Sequence, residues 1–550
     1  MLKRLKKGLW NYRNVILIVL IPLLLLPLPV VAGTKEAECA FVLLLMATYW
    51  VTEVIPLSMT AMLPAILFPM FGIMKSSSVA KEYFKDFHFL LVGVTCFATS
   101  IEKWGLHRRI ALRLVTMVGV NPAWLMLGFM TVCAFLSMWV QNTSAVTMVM
   151  PIVEAVLQHI LKAKEGGCRP DQETNIRSKH DLMVCKAICI SIAYSSNIGG
   201  ITTLPGTSPN LIFSESVFTF RIYPNCSCIN FGNWLLLCLP ISVIMLLLTW
   251  IWLHWLFISS DFRFLWRCGG EKSEKERAAR KVIEDEYKSL GPMSSQEIFT
   301  GVIFLVMVLL WLTRSPGFVP GWASLFPHSN SGYISDATVA LLLGLLFFIV
   351  PRQLLSFRKD VSKIFFIPLH PAAMISWKEF QASMPWKVAL LVGGGFALAE
   401  GTKESGLSLW VAKLMTPLGD LPVLATIAVA CIIVTMVTEV ASNAATITIF
   451  LPILSPLAEA IHVNPLYVLI PTTLCTSFSF LMPVSNPPNA IVFAYGHFHI
   501  MDMVKAGLGV NVIGVLAVLL AVATWGVPLF SLDTYPDWAP VLPGFNSTTP

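Results

Sequence analysis

Four short polar segments hold the residue types that could do chemistry in this chain. Two are Gln141-Asn142-Thr143-Ser144 and Ser442-Asn443-Ala444-Ala445. The third covers residues 197–210 and carries Asn197, Gly199, Gly200, Gly206, Thr207 and Asn210. The fourth covers residues 481–489 and contains Ser485-Asn486-Pro487-Pro488-Asn489. Pro and Gly stop a helix at such places, and Ser, Thr and Asn supply short oxygens and caps. Unwound carbonyls beside such oxygens suit Na+, while a fresh helix N-terminus turns N–H groups and a positive dipole end toward an anion. The chemistry on offer is joint binding of a cation and an anion. Neither Lys, Arg nor His falls within the four segments, and Lys186 lies toward the far end of its helix. A fixed side-chain cation is therefore not available, so helix N-termini and co-bound cations must balance the anion. A lone Asn or Ser in a membrane helix is more often packing glue; four dense breaks in two related pairs favour a site.

The elements that position these residues are apolar and repeated. The 550 residues are 56% hydrophobic and 13% charged, against about 25% charged in soluble domains. Runs long enough to span a bilayer recur, among them 14–33, 234–258 and 507–525. Leu90-Leu91-Val92-Gly93 returns as Leu390-Leu391-Val392-Gly393, and Gly105-Leu106 as Gly406-Leu407. Gly105 precedes Asn142 by 37 residues, and Gly406 precedes Asn443 by the same 37. A duplicated membrane segment with matching polar breaks marks a secondary transporter built from repeats.

Loop Lys and Arg set the expected orientation. The basic start Lys3-Arg4-Leu5-Lys6-Lys7 is cytosolic, without a clear cleavage site behind it. The first hairpin, tipped at 141–144, is flanked by basic loops at both ends and is expected to enter and leave on the cytosolic side. The loop after the second hairpin, 462–466, has no Lys or Arg, whereas its counterpart has Lys162, Lys164, Arg169, Arg177 and Lys179. The two copies are thus expected to be inverted. The expectation is an all-α polytopic membrane protein with about eleven crossings, two re-entrant hairpins and two broken helices. Residues 1–39 form the cytosolic N-terminus and first helix, and 40–258 the first repeat. Residues 259–298 are a solvated cytosolic linker with no apolar stripe, helical through Glu/Lys pairs. Residues 299–506 form the inverted second repeat, and 507–550 the last helix and extracellular C-terminus.

Other features bound the reading. The net charge of +7 sits in loops and is no nucleic-acid signal. No zinc-protease helix motif, Ser-Lys pair or phosphate loop occurs, so an enzyme is not expected. Most of the 12 cysteines lie in apolar runs; Cys226 and Cys228 leave open a pairing with each other, with Cys39, or none. Asn225 and Asn546 head glycosylation sequons expected outside, and the match at Asn142 lies at membrane depth. Glu53 and Glu439 sit in apolar surroundings, where an acid is a functional suspect. Glu53 also borders a helix break and Glu439 a hairpin tip, which makes a structural role the simpler reading.

The chain resembles the divalent-anion/sodium symporter family, which includes sulfate, dicarboxylate and citrate cotransporters. The resemblance rests on Leu136-Ser137-Met138-Trp139, Thr438-Glu439-Val440-Ala441-Ser442-Asn443 and Pro487-Pro488-Asn489-Ala490-Ile491-Val492, and spans essentially the whole chain. Glu36-Ala37-Glu38-Cys39-Ala40, Phe84-Lys85-Asp86-Phe87-His88 and Gly119-Val120-Asn121-Pro122-Ala123-Trp124 look most like the vertebrate renal and intestinal sodium–sulfate branch. The resemblance implies a homodimer in an apical epithelial plasma membrane, surrounded by lipid, with a static scaffold and a transport domain that moves as an elevator. It implies one Na+ site at Ser137, Gln141, Asn142, Gly199 and Gly200, and another at Thr438, Ala441, Ser442 and Asn443. Substrate would lie near Asn142, Thr143, Gly206, Thr207, Ser442, Asn443, Asn486 and Pro487. No cofactor or metal beyond the coupling Na+ is implied. Two positions depart from the family pattern. Gln141 stands where a small hydroxyl is usual, and Asn486 stands where the carboxylate carriers have Thr. Asn offers an N–H donor to a tetrahedral oxyanion. Na+-coupled sulfate import is the expectation; a succinate or citrate carrier is the alternative, and a channel or non-transporting sensor a third.

Overall fold

The computed structural model describes residues 13–118, 122–162, 172–218, 223, 229–258, 274–314, 320–326, 334–352, 372–415, 421–483 and 485–540. Asn225, Cys226, Cys228 and Asn546 lie outside them. Cys39 is buried and unpaired. Among the described residues the architecture is helical, and a lone bridge between Pro351 and Ala373 is the only strand-like pairing.

The first half begins with α1 (Arg13–Leu25), α2 (Pro27–Ala32) and α3 (Lys35–Thr52). The chain then breaks where the sequence suggests, at Glu53, which takes a left-handed φ of 48°. Two short helices, α4 (Leu57–Thr60) and α5 (Leu63–Met70), and the connector α6 (Ser76–Glu82) follow. Next come α7 (Asp86–Trp104), α8 (Leu106–Val118), α9 (Pro122–Ser137), α10 (Asn142–Lys162), α11 (Gln172–Gly200), α12 (Ser208–Phe218) and α13 (Phe231–Leu253). The linker forms α14 (Glu274–Ser289). The second half contains α15 (Ser295–Arg314), α16 (Asp336–Ile349), α17 (Trp377–Ser383), α18 (Trp386–Glu404) and α19 (Leu407–Met415). It continues through α20 (Val423–Thr438), α21 (Asn443–Ala460), α22 (Pro465–Cys475), α23 (Pro487–Ala494), α24 (Ile500–Ala523) and α25 (Gly526–Phe530).

From α7 to α13 and from α18 to α24 the same order of elements runs twice. The turn glycines show why. Gly105 (φ +70°) and Gly406 (φ +80°) each occupy the left-handed region that L side chains resist, and each turns a long helix into a short one. At Gly105 the chain bends by 71°. Among the described residues six helices are long and apolar enough to cross a membrane, and up to eight if each of two bent pairs counts as one span. Among the shorter apolar helices, Ala123–Ser137 and Val423–Thr438 lead into the two tips and Pro465–Cys475 into the second break.

The core lies along α11, which is buried from Val184 to Gly200 except at Lys186. α1 is largely exposed, as a lipid-facing helix should be. Small residues allow close approach at the centre: a Cβ on Gly199 would fall 2.1 Å from the Ala134 carbonyl oxygen of α9.

Three sequence expectations are corrected. The helix before the first break continues through Asn197 to Gly200, so the unwound part is 201–207 rather than 197–210. The second break runs from 476 to 486 rather than 481–489, because α22 stops at Cys475 and Pro487 already begins α23. The last long helix starts at Ile500, ahead of the expected 507. The linker is also not simply solvated. Ile283 of α14 is 2% exposed, and Arg108 pairs with Glu286 at 2.7 Å. Arg109 bonds Glu297 at 3.0 Å and donates to the Gly291 carbonyl at 2.8 Å and the Leu290 carbonyl at 3.3 Å. One guanidinium thus closes the C-terminal end of α14 and pins it beneath α8.

Arg109→Ala leaves Glu297 and these carbonyls without their donor inside a buried contact. Losing one member of such a pair costs about 3–5 kcal/mol. The purified variant should unfold at a lower temperature and be cut by trypsin within the linker faster than the parent.

Candidate functional site

Both hairpin tips are built on one pattern. Ser137 ends α9 and Asn142 begins α10, five residues on. The Ser137 hydroxyl faces Asn142 Oδ1 at 2.5 Å and the Ser196 carbonyl of α11 at 2.6 Å. In the second half, Thr438 ends α20 and Asn443 begins α21, again five residues on. Its hydroxyl faces Asn443 Oδ1 at 3.0 Å and the Thr476 carbonyl, just past α22, at 2.6 Å. A hydroxyl has one proton to donate. In each cluster it meets two acceptor oxygens, so three oxygens converge with too few protons. A small cation resolves that excess.

Asn197 ties the first cluster to the second break. Its Oδ1 accepts from Asn142 Nδ2 at 3.1 Å and from Asn486 Nδ2 at 2.8 Å. Asn197 is 1% exposed and its own amide N–H group has no partner. Gly200 lets the first tip approach, since a Cβ there would lie 2.4 Å from Asn142 Oδ1.

The breaks are held open by side chains that replace helical hydrogen bonds. Asn210, third residue of α12, donates to the Thr203 and Ile201 carbonyls at 2.9 and 3.1 Å. Asn489, third residue of α23, donates to the Ser479 and Met482 carbonyls at 2.8 and 3.0 Å. Thr203 donates to the Met138 carbonyl of the first tip. Glu439 accepts from the Phe480 and Leu481 N–H groups at 2.9 and 3.1 Å and from Asn511 Nδ2 at 2.9 Å. This gives Glu439 a structural task at the break. Glu53 is exposed at the end of α3.

A cavity of about 270 Å³ opens between the tips. Gln141, Asn142, Thr143, Gly206, Thr207, Ser442, Asn443, Asn486 and Pro487 all line it. Ser137, Gly199, Gly200, Thr438 and Ala441 are buried behind these lining residues. The structure therefore brings every sequence-predicted binding residue to one locus. Four helices, α10, α12, α21 and α23, present their first residues to the cavity: Asn142, Ser208, Asn443 and Pro487. Each N-terminus carries roughly half a positive charge, which suits an anion. Gln141 and Ser442 differ as the sequence suggests. Ser442 caps α21 by accepting from the Ala445 N–H at 3.2 Å. The Gln141 side chain is exposed and takes no part in the hydrogen bonds joining Ser137, Asn142 and Asn197. It also lines an adjoining cavity of about 310 Å³ that includes Glu102, Trp139 and Ser383.

The expectation that no side-chain cation is available is overturned. Lys387, second residue of α18, lines the cavity wall opposite the tips together with Leu57, Leu91 and Leu391. It lies outside the four polar segments, and only the fold brings it there. Asn197 as the joint between the halves was likewise hidden. The tripeptides Ser208-Pro209-Asn210 and Pro487-Pro488-Asn489 were the available signal for the paired Asn210 and Asn489.

Helical halves repeated around a polar, solute-sized cavity define a membrane carrier. The solved structure of Neisseria gonorrhoeae MtrF, described with a class of antimetabolite efflux pumps, superposes over 85% of both chains with a TM-score of 0.53. At 12% identity that likeness speaks for the fold alone. The family model "Sodium:sulfate symporter transmembrane region" matches residues 7–532. The chain belongs to the sodium:sulfate symporter family. It is 54% identical to solute carrier family 13 member 1 of Rattus norvegicus and 52% identical to that of Homo sapiens, over 98% of each chain. It is 40% identical to the Na(+)/citrate cotransporter of Rattus norvegicus, over 96% of this chain and 97% of the relative. The family is one of solute transporters, not enzymes.

Glu439→Ala would strip the acceptor from two backbone N–H groups and the Asn511 amide. Each buried donor left unmet costs about 1–3 kcal/mol. The variant should melt well below the parent in detergent, with Glu439→Gln, which keeps one acceptor oxygen, falling between them.

Proposed function

We propose that this chain imports sulfate, or a similar divalent oxyanion, across the plasma membrane by symport with Na+. The observation that carries this reading is the pairing of two proton-poor oxygen clusters with four helix N-termini around one cavity. The clusters, Ser137/Asn142/Ser196 and Thr438/Asn443/Thr476, take Na+. The N-termini take the anion. Na+ binding at Asn142 and Asn443 positions the first turns of α10 and α21, and so completes the anion site. Asn486 favours sulfate: its amide carries two N–H groups, one engaged on Asn197, which leaves one for an oxyanion.

The transport cycle follows from the apolar wall. The two hairpins and two broken helices move together as an elevator along a static scaffold that includes α7 and α18. Leu91 and Leu391, at matching places in the two repeats, line that wall. In this reading the repeats, residues 40–258 and 299–506, are inverted, and eleven crossings join them. The N-terminus is cytosolic, the C-terminus extracellular, and Asn225 and Asn546 are available for glycosylation. The scaffold pairs two copies into a homodimer in an apical epithelial membrane.

Labelled sulfate uptake in cells, in Na+ and with choline in its place, tests the coupling. Uptake should be concentrative and lost in choline; equal uptake in both media would sink the mechanism. Excess unlabelled succinate should compete poorly, and strong competition would favour the carboxylate alternative. Thr438→Val removes one cluster oxygen and should raise the half-saturating Na+ concentration by about tenfold or more, since one lost charge-assisted contact of about 1.5 kcal/mol shifts an equilibrium just over tenfold. Asn443→Ala should abolish uptake at normal surface expression. Gln141→Ser should leave uptake intact, since Gln141 stands outside the cluster.

A further inference from the structure

Among the described residues, Lys387 is the sole charged one lining the central cavity. It is exposed, and no hydrogen bond or ion pair to its ammonium is seen among the described residues. Its place on α18 is electrostatically unfavourable. It lies in the first turn of a 19-residue helix, where the dipole end is positive, and that turn has no acidic residue. A cation held against a dipole of the same sign, facing solute-filled space, is stabilised when an anion arrives. The first turn of α18 and the ammonium then act on that anion together, opposite the four helix N-termini of the tips and breaks.

We infer that Lys387 is a specificity-determining residue that contacts the transported oxyanion from the scaffold wall and favours two negative charges over one. The inference rests on the symport reading above. Na+ is not its ligand, so its direct effect falls on the anion, and apparent ion affinity at saturating sulfate is left alone. The wall residues around it, Leu57, Leu91 and Leu391, are apolar, so they offer the anion no competing contact. Coulomb's law fixes the scale. One unit charge about 6 Å from a dianion, in a water-like dielectric, changes affinity about tenfold, and physiological salt reduces this to roughly threefold. For a monoanion the interaction energy is halved, so the change is only about the square root, less than twofold.

The experiment is Na+-dependent uptake of labelled sulfate by the full chain in cells, normalised to surface-labelled protein, for wild type, Lys387→Gln, Lys387→Arg and Lys387→Glu. Lys387→Gln should raise the KM for sulfate about threefold, Lys387→Glu more, and Lys387→Arg less than twofold. The half-saturating Na+ concentration at saturating sulfate should stay within twofold throughout. Inhibition by thiosulfate, a dianion, should weaken about threefold in Lys387→Gln, and inhibition by perchlorate, a monoanion, less than twofold. An unchanged KM in Lys387→Gln, or equal weakening for both inhibitors, would overturn the inference. Absence of Na+-dependent uptake in the wild type would instead defeat the symport reading itself.

Discussion

Backbone groups facing lipid have no water to turn to, and an interrupted helix inside a membrane must find its hydrogen bonds within the protein or at a water-filled cavity. The site depends on how this chain meets that constraint. Asn210 and Asn489 serve the carbonyls of their own breaks. Glu439 serves the N–H groups of the second break from a neighbouring hairpin. Once the backbone is satisfied by side chains, the ends of the interrupted helices are released to face the cavity. The same substitutions of partner that keep the break stable thus create its chemistry.

Two kinds of charge deficit are then set side by side. The hydroxyl clusters have more acceptor oxygens than protons, and the helix N-termini have more donors than acceptors. Neither is fully relieved by the protein alone, and a cation and an anion relieve both at once. This is why the cavity can be nearly free of formal charge and still select ions. Lys387 is the exception, and it stands on the opposite wall rather than in the polar breaks.

Much of this arrangement is written in local sequence. The paired glycines at 105 and 406, the asparagines at 142 and 443, and the Pro-Asn pairs at 209–210 and 488–489 are punctuation that a single chain reveals. What stayed hidden depends on partners distant in sequence. Residues 476–480 read as helix because no Pro or Gly interrupts them; they unwind where Glu439, 41 residues before Phe480, captures the N–H. Asn197 and Gly199 read as a break, yet close packing on Ala134 holds them helical. The linker looked solvated by composition, and it is Arg109, far upstream, that docks it. Lys387 belongs to an ordinary helix start, and only the approach of α18 to the tips gives it a place at the cavity.

Asn197 gives the site one more property. A single oxygen atom there receives both Asn142 and Asn486, one from each half of the chain. A displacement of either donor changes the bond available to the other, so the halves share one local equilibrium instead of keeping two. Thermodynamic reciprocity then applies: by whatever factor a ligand at one half alters affinity at the other, the second alters the first by the same factor. On the symport reading, that shared oxygen makes loading the cavity a concerted act rather than a sum of separate ones.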